Sequence, residues 1–243
     1  MLYDVAEQID LVRYPLATIE DLEAAKAEIE SRGVQCIAVQ GDVRDGAKQK
    51  EAMEQAVSEF GSLDMVIVNA GVTQLGPLNV LTEEEVSLVL DINLAGAIKT
   101  VQAAIPIMQE QNSGRIVLIS SITGRSGSAN FPVYSASKWG MIGLAKGTAQ
   151  LLAPNNVTVN AVCPSLVNTK LLINDYVLEA LIPSNPTYEA FNEGAKTRHL
   201  LPVGLYEPAE VANTIRFICS DAAHYISGDV FDIQVGLAAL NAA

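Results

Sequence analysis

The chain has 243 residues, a length that suits one α/β domain or at most two small ones. A formal net charge of −13 argues against a nucleic-acid binder, which needs clustered Lys and Arg, and 49% apolar residues predict a large buried core. We find no run of 18 uncharged apolar residues and no basic segment followed by an apolar one at the start. We therefore expect a cytoplasmic protein that binds neither nucleic acid nor membrane.

Short apolar runs alternate with helical stretches along the chain. Thr18, with Asp21 three residues later, predicts a capping box and a helix that ends near Gly33. Strands are predicted at 36–39, 65–68, 116–119, 157–162 and about 229–235, and further helices at 46–60, 82–110, 133–152 and 208–220. Strands that are apolar throughout and alternate with helices indicate a parallel sheet. We predict one domain over 1–243, a Rossmann-like doubly wound α/β fold with helices on both faces.

Small, polar or turn-forming residues follow the central strands. Asn69-Ala70-Gly71 comes after the strand at 65–68, Ser120-Ser121 after 116–119, and Pro164 to Thr169 after 157–162. Ligands of open parallel sheets bind beyond the carboxyl ends of the strands, so these residues predict a site wall. Loops in general have a similar composition.

The sharpest pattern is the pair Tyr134 and Lys138, which lie four residues apart and so share one face of a helix. A free tyrosine, with a pKa of about 10, is a poor acid–base catalyst at neutral pH. A neighbouring ammonium group favours the phenolate and lowers that pKa. The pair by itself is also compatible with an ordinary surface contact on a helix.

The chain contains, in this order and spacing, Asn69-Ala70-Gly71, Asn93, Ser121, Tyr134 and Lys138. This combination resembles the short-chain dehydrogenase/reductase family, and the resemblance extends over nearly the whole chain. That resemblance implies hydride transfer between a nicotinamide cofactor and an alcohol or ketone. It implies that Tyr134 is the general acid or base, and that Lys138 holds the nicotinamide ribose and lowers the pKa of Tyr134. Ser121 would orient the substrate oxygen, and Asn93 would anchor a water in a proton relay. A non-catalytic protein is the alternative.

The resemblance also implies a set of cofactor-binding residues. Asn69, Ala70 and Gly71 would line the adenosine side, and Asp42 and Val43 would meet the adenine. The nicotinamide carboxamide would meet the segment from Pro164 to Thr169, with Val167 and Thr169 in the matching places and Ser165 where a glycine is usual.

Asp4 matches the acid at the end of the family's second strand. A carboxylate there pairs with the ribose 2′-hydroxyl, so we expect NAD in preference to NADP. The alternative is a frayed terminal residue without a function.

The opening of the chain points to one branch of the family. The stretch from Asp4 to Asp10, followed by Tyr14 to Thr18, is similar to an insertion in enzymes of the carveol-dehydrogenase type, also called mycofactocin-coupled dehydrogenases. In that branch the nicotinamide cofactor is held tightly and its electrons are thought to pass to a redox peptide. An ordinary NAD-dependent alcohol dehydrogenase with a long loop is the alternative.

One part of the family pattern is missing. Family members begin with a strand, a glycine-rich turn that holds the pyrophosphate, and a helix. Residues 1–32 contain no glycine, so we expect these three elements to be absent and a gap to lie in the middle of the sheet. Three explanations are open: a misassigned start or shortened chain, a natural truncation that leaves an inactive paralogue or partner subunit, or a sheet that rearranges or oligomerises.

Residues 165–205 interrupt the alternation and predict a lid over an apolar, terpenoid-like secondary alcohol or ketone. Its candidate wall residues, which could equally be lid-to-body packing, are Leu171, Leu172, Tyr176, Leu181 and Ile182. His199 and His224 are far apart, and the cysteines have no metal-binding spacing, so we predict no metal site. The resemblance further implies a homotetramer in which the long helices pack between subunits.

Overall fold

The strands of the computed structural model, which describes residues 1–240, all pair in parallel, and helices cover both faces of the larger sheet. The strands are β1 (Leu2–Asp4), β2 (Ala38–Gln40), β3 (Met65–Val68), β4 (Gly114–Ile119), β5 (Val157–Pro164) and β6 (Val230–Ile233). The helices are α1 (Ile19–Ser31), α2 (Gly46–Phe60), α3 (Glu83–Leu90), α4 (Ala97–Gln111), α5 (Thr123–Ser126), α6 (Pro132–Leu152), α7 (Asp175–Leu181), α8 (Tyr188–Arg198) and α9 (Pro208–Cys219). The predicted α/β fold class is confirmed.

The strands form two separate sheets. One contains β1 and β2, and the other has the order β3-β4-β5-β6. A cavity of about 450 Å³ separates the edge of β1 from the edge of β3. Within residues 1–240 no strand lies between these two edges.

Helix ends agree with the capping signals in the sequence. Thr18 and Asp21 form the predicted capping box: the Thr18 hydroxyl accepts from the Asp21 amide at 3.2 Å, and the Asp21 carboxylate accepts from the Thr18 amide at 3.1 Å. Helix α2 is followed by Gly61, which caps its carboxyl end and whose φ of 89° is a left-handed conformation that suits glycine. The strand predicted at 36–39 is β2 at Ala38–Gln40, which begins two residues later and ends one residue later, because its pairing with the short β1 starts at Ala38.

The helix predicted at 82–110 is interrupted. It consists of α3, a π-helical turn over Asp91–Gly96, and α4, which continues past Pro106 to Gln111. The run Glu83–Gln111 is long and apolar enough to cross a membrane, but half of its most apolar window is buried inside the fold. That burial is what a core helix of this kind shows.

The core lies on both faces of β4 and β5. Met108 of α4, Met141 of α6 and Ile116 of β4 are fully buried on one face. On the other face, Val117 of β4 packs in a cluster with Ile218 of α9. Burial of a side chain of this size contributes about 1.5–3 kcal/mol, so this sandwich fixes the carboxyl ends of β4 and β5 in space.

Candidate active site

Tyr134 and Lys138 lie one turn apart near the start of α6, which opens with Pro132 at its first position. The Lys138 Nζ atom is 5.4 Å from the centroid of the Tyr134 ring. Lys138 is only 4% exposed, and its Nζ donates a hydrogen bond of 2.8 Å to the carbonyl oxygen of Ile119, at the end of β4. A buried cation thus lies beside the ring of the tyrosine.

Burial dominates the proton affinities of this pair. It raises the pKa of Tyr134 to about 12, although the nearby Ser121 hydroxyl acts in the opposite direction. It also lowers the pKa of Lys138 to about 8. Our expectation that Tyr134 has a lowered pKa is therefore wrong for this structure. The physical reason is that desolvation penalises the phenolate, while the Lys138 ammonium group donates to a backbone carbonyl.

The two serines after β4 have different surroundings. Ser121 is 8% exposed, and its Oγ accepts from the Thr123 amide at 3.2 Å. Ser120 donates through Oγ to the Lys138 carbonyl oxygen at 2.8 Å, which joins β4 to α6. Gly124 permits this close packing, because a Cβ there would lie 2.5 Å from the Ser120 Oγ. The Ser120 hydroxyl therefore holds α6 in place, whereas the Ser121 hydroxyl accepts from Thr123 and lies near enough to Tyr134 to lower its pKa.

Asn93 is fully buried in the π-helical turn. Its Oδ1 accepts from the Val72 amide and its Nδ2 donates to the Val72 carbonyl, both at 2.8 Å, and Nδ2 also donates to the Ser137 Oγ at 3.2 Å. Gly71 lies against the same groups, since a Cβ there would be 3.4 Å from the Asn93 Oδ1 and 3.5 Å from the Lys138 Nζ. The side chain of Asn93 thus fastens the segment after β3 to the long helix and to α6.

Four of the residues expected at the adenosine end of the cofactor meet at the cavity between β1 and β3, whereas Gly71 does not line it. Asp4, Val43, Asn69 and Ala70 all line it, and its lining does not include Ser121, Tyr134 or Lys138. Asp4 is not frayed, because its Oδ1 accepts from the Ala6 amide at 2.8 Å.

Asp42 does not belong to that lining. It forms a salt bridge with Arg44 instead, and its backbone carbonyl accepts from the Tyr3 hydroxyl at 3.0 Å.

The segment after β5 is held by a tyrosine and a histidine. The Tyr206 hydroxyl accepts from the Ser165 amide at 2.7 Å. Val167 and Tyr206 also form an isolated parallel β-bridge. His199 is 5% exposed, and its Nε2 lies 3.1 Å from the Ser165 Oγ. Pro164 ends β5, and the carbonyl of Thr169 accepts from the amide of Ile173 at 2.8 Å, so this segment turns into the predicted lid.

Tyr134 packs against an apolar cluster, which we call the site cluster. Its buried members are Val12, Tyr14, Val72, Leu88, Val89, Ile92 and Val133. Leu171 and Tyr176 from the predicted lid pack against it, as does Tyr134 itself. Two of the five candidate wall residues are therefore in this cluster, while Leu172, Leu181 and Ile182 are partly buried elsewhere.

Comparison with known proteins decides the family. Residues 6–176 match the family model described as short chain dehydrogenase. The chain belongs to the short-chain dehydrogenase family.

Two curated relatives and one solved structure illustrate this membership. An uncharacterized oxidoreductase of Mycobacterium tuberculosis is 36% identical over 96% of this chain and 84% of its own length. The (−)-trans-carveol dehydrogenase of Rhodococcus erythropolis is 34% identical over 97% of this chain and 87% of its own length. The crystal structure of carveol dehydrogenase from Mycobacterium avium in complex with NAD superposes with a TM-score of 0.93 at 32% identity, covering 96% of this chain and 86% of that one. Within the family, the chain is similar to the carveol dehydrogenases.

The sequence did not indicate several contacts in the site of this short-chain dehydrogenase. Tyr14 is 4% exposed, and its hydroxyl accepts from the Thr73 amide at 3.0 Å. The Tyr176 hydroxyl accepts from the Leu75 amide at 3.1 Å, which ties α7 to the loop after β3. Burial raises the pKa of the fully buried Cys163 thiol to about 11. Tyr14 and Thr73 are 59 positions apart in the chain, and Tyr176 and Leu75 are 101 positions apart. No local pattern in the sequence indicates such contacts.

Proposed function

We propose that this chain is an oxidoreductase that transfers a hydride between NAD and a secondary alcohol or its ketone. The observation that carries the proposal is the group formed by Tyr134, Lys138 and Ser121. A tyrosine hydroxyl lies in reach of a serine hydroxyl, with a buried ammonium 5.4 Å from the ring. An acid–base group, an orienting hydrogen-bond donor and a nearby cation are what proton transfer to an alkoxide or from an alcohol requires.

In this proposal Tyr134 exchanges the proton of the substrate oxygen. In the oxidation direction its phenolate removes the hydroxyl proton, and in the reduction direction its phenol returns one. Ser121 donates a hydrogen bond to the same oxygen and so orients it. Asn93 keeps the loop after β3 in place through its bonds to Val72, and its role as the anchor of a relay water is part of the proposal.

The described residues fit the nicotinamide end of the cofactor. Lys138 is a buried cation whose Nζ has a backbone carbonyl and the Met141 sulfur as its neighbours, so it can still donate to a ribose hydroxyl. Gly71 keeps this approach open, since a side chain there would lie against Lys138. Pro164, Val167 and Thr169 are our candidates for the carboxamide. Bound NAD would supply the hydride acceptor or donor and, when oxidised, a positive charge beside Tyr134.

At the adenosine end we propose Asp4, Asp42, Val43, Asn69, Ala70 and Gly71. Asp4 ends β1 with its second carboxylate oxygen available, and a carboxylate there favours a ribose 2′-hydroxyl over a 2′-phosphate. The NAD complex of the Mycobacterium avium carveol dehydrogenase supports this choice over NADP. We assign no residue to the pyrophosphate.

We propose an apolar, bulky substrate such as a terpenoid alcohol. Support comes from the site cluster, whose aliphatic and aromatic side chains pack on one side of Tyr134, and from the similarity to a carveol dehydrogenase. Residues 165–205 would act as the lid, with Leu171 and Tyr176 facing this cluster.

The branch resemblance extends the proposal to the electron acceptor. We propose that the cofactor is retained tightly and passes its electrons to a redox peptide, as in the mycofactocin-coupled branch. Segment 5–17 supports retention, because Tyr14 and Gln74 hold it against the loop after β3.

We propose a homo-oligomer as well, for which exposed apolar residues on α6, Trp139 and Leu151, are candidate contacts. Sedimentation of the purified chain would give the assembly state.

The first experiment is cofactor content and turnover. The purified chain is denatured and its supernatant assayed for nicotinamide dinucleotide, with equilibrium dialysis against NADH as a second arm. Turnover is then measured with trans-carveol and NAD, and with a redox dye as acceptor. Tyr134→Phe should abolish turnover with NADH binding retained. Folded protein that neither releases nor binds the nucleotide would favour the alternative, an inactive paralogue or partner subunit.

A further inference from the structure

A second cavity lies at the opposite end of the larger sheet from Tyr134. It has a volume of about 770 Å³ and is lined by the amino ends of β4 and β5, by the carboxyl-terminal half of α6 and by segment 224–228. The six residues of β4 extend over about 20 Å, so this distance separates the second cavity from the end of the strand that leads to Ser121. The lining shares no residue with the cavity between β1 and β3.

The charged side chains of this lining all have the same sign. Arg115, Lys146 and His224 line the second cavity, and no aspartate or glutamate of residues 1–240 does. The chain as a whole has the opposite balance, with 28 acidic and 15 basic residues and a formal net charge of −13. A basic lining in an acidic protein favours an anion as the ligand.

Two buried polar atoms at the floor of the cavity lack a hydrogen-bond partner within residues 1–240. They are the Nε atom of Arg115 and the Oγ1 atom of Thr158. Thr158 is only 6% exposed, and it is the direct partner of Arg115 in the register of β4 and β5. Partners on neighbouring strands direct their side chains to the same face of the sheet, so the guanidinium and the hydroxyl lie side by side.

The guanidinium of Arg115 has donors to spare. Its Nη1 donates to the carbonyl oxygen of Gly114 at 2.9 Å, and Arg115 takes part in none of the salt bridges that residues 1–240 form. Buried polar atoms are normally hydrogen-bonded, because burial removes their bonds to water. An oxyanion that accepts from both Arg115 Nε and the Thr158 hydroxyl would satisfy the two atoms together.

The mouth of the cavity adds two exposed basic side chains. Lys146 Nζ donates one hydrogen to the carbonyl oxygen of Gly228 at 3.1 Å and has others available. The Nδ1 atom of His224 lies 2.6 Å from the carbonyl oxygen of Asp221. A carbonyl only accepts, so Nδ1 carries the hydrogen there, and Nε2 is the nitrogen that can contact a ligand.

We propose that the second cavity binds a phosphate group, with Arg115 and Thr158 as the hydrogen-bond donors to its oxygens. Lys146 and His224 offset its charge at the mouth. Arginine suits this role because its planar N–H groups match two oxygens of a phosphate. The proposal is independent of the proposed reaction, because the lining contains no residue that we assign to catalysis or to NAD.

The size of the cavity allows two forms of this ligand. Small-molecule sites have volumes of about 300–1,000 Å³, and the second cavity lies within that range. It therefore has room for a phosphomonoester as well as for the free ion. Inorganic phosphate and phenyl phosphate are the two probes that distinguish these sources.

Each probe is titrated by calorimetry into the full 243-residue chain, with chloride keeping the ionic strength constant. The test variants are Thr158→Val, which removes the hydroxyl and keeps the shape of the side chain, and Arg115→Met. Lys48→Met on the exposed side of α2 is the control, because it removes the same charge as Arg115→Met away from the cavity.

We expect saturable binding that is at least about tenfold weaker in both test variants and unchanged in Lys48→Met. Thr158→Val removes a buried hydroxyl without a partner, so in the absence of phosphate it should be as stable as the wild type, and weaker binding would not reflect unfolding. Tighter binding of phenyl phosphate would identify a phosphomonoester as the ligand, and tighter binding of inorganic phosphate would identify the free ion.

Two results would overturn the proposal. One is the absence of saturable binding of either probe while circular dichroism shows a folded chain. The other is binding that Thr158→Val leaves unchanged or that Lys48→Met weakens as much as Arg115→Met does, which would indicate an adventitious ion only.

Discussion

Asn93 and Val72 are joined by two reciprocal hydrogen bonds of 2.8 Å, one in each direction between the side-chain amide and the backbone. This contact positions the loop after β3 beside Lys138, because the neighbouring Gly71 lies against both Asn93 and Lys138. A residue of the interrupted long helix thereby determines where the site loop lies.

Asn93→Ala should lower the free energy of unfolding by about 2–4 kcal/mol, because it leaves the buried amide and carbonyl of Val72 without partners. Urea denaturation followed by circular dichroism gives the value. Asn213→Ala on the exposed side of α9 is the control and should change stability by less than about 0.5 kcal/mol. Equal effects of the two substitutions would contradict the fastening role of Asn93.

Lys138 should make the stability of the chain depend on pH in an alkaline window. Burial lowers its pKa to about 8 from an ordinary value of 10.5. Between these values the folded chain has lost a proton that the unfolded chain keeps, so unfolding becomes less favourable as pH rises. Relative to Lys138→Met, the free energy of unfolding of the wild type should rise by at most about 1.4 kcal/mol per pH unit in this window, and it should not rise below the window. Parallel stability curves of the two proteins across the window would refute the assignment.

Tyr134 should resist ionisation in the absence of cofactor. Burial raises its pKa to about 12. The tyrosinate absorbance that the wild type shows and Tyr134→Phe lacks should therefore appear only well above pH 10. A tyrosine in a short unstructured peptide, with an ordinary pKa of about 10, is the reference. A Tyr134 signal at or below that of the reference peptide would mean that the charge of Lys138 outweighs burial.

Gly124→Ala should destabilise the chain, by about 1–3 kcal/mol, because its Cβ would lie 2.5 Å from the Ser120 Oγ and 3.0 Å from the backbone of Lys138. Gly194→Ala provides the contrast. It lies on an exposed part of α8 with no atom within 4 Å of the added Cβ, so it should stabilise the helix by about 0.5–1 kcal/mol. Thermal unfolding of the two variants should therefore shift in opposite directions, and a shared direction would count against the packing argument.

Tyr176→Phe should loosen the predicted lid. The substitution removes the hydroxyl that accepts from the Leu75 amide and donates to the Leu75 carbonyl, at a cost of about 1 kcal/mol. Hydrogen exchange of α7 should become faster, and the KM for the substrate should rise more than kcat falls. Tyr188→Phe on α8, which removes a partly exposed hydroxyl, is the control. Unchanged exchange in α7 would show that this contact does not hold the lid.

The sequence alone predicted the fold class and most elements. Helix α2 has the predicted bounds of 46–60, because its cap and the terminal glycine are local signals. The strand at 65–68 is also correct, because a short apolar run between polar turns is sufficient evidence for a buried strand. Local chemistry determines such elements, and a single sequence contains that chemistry.

Only the tertiary structure decided the proton affinities and the contacts of the site. The pattern of Tyr134 and Lys138 suggested a lowered tyrosine pKa, yet burial reverses the direction, and burial depends on α6, β4 and β5 packing together. The contacts of Tyr14 with Thr73 and of Tyr176 with Leu75 join distant parts of the chain. Desolvation and long-range contacts are properties of the packed chain, so no local pattern of residues determines them.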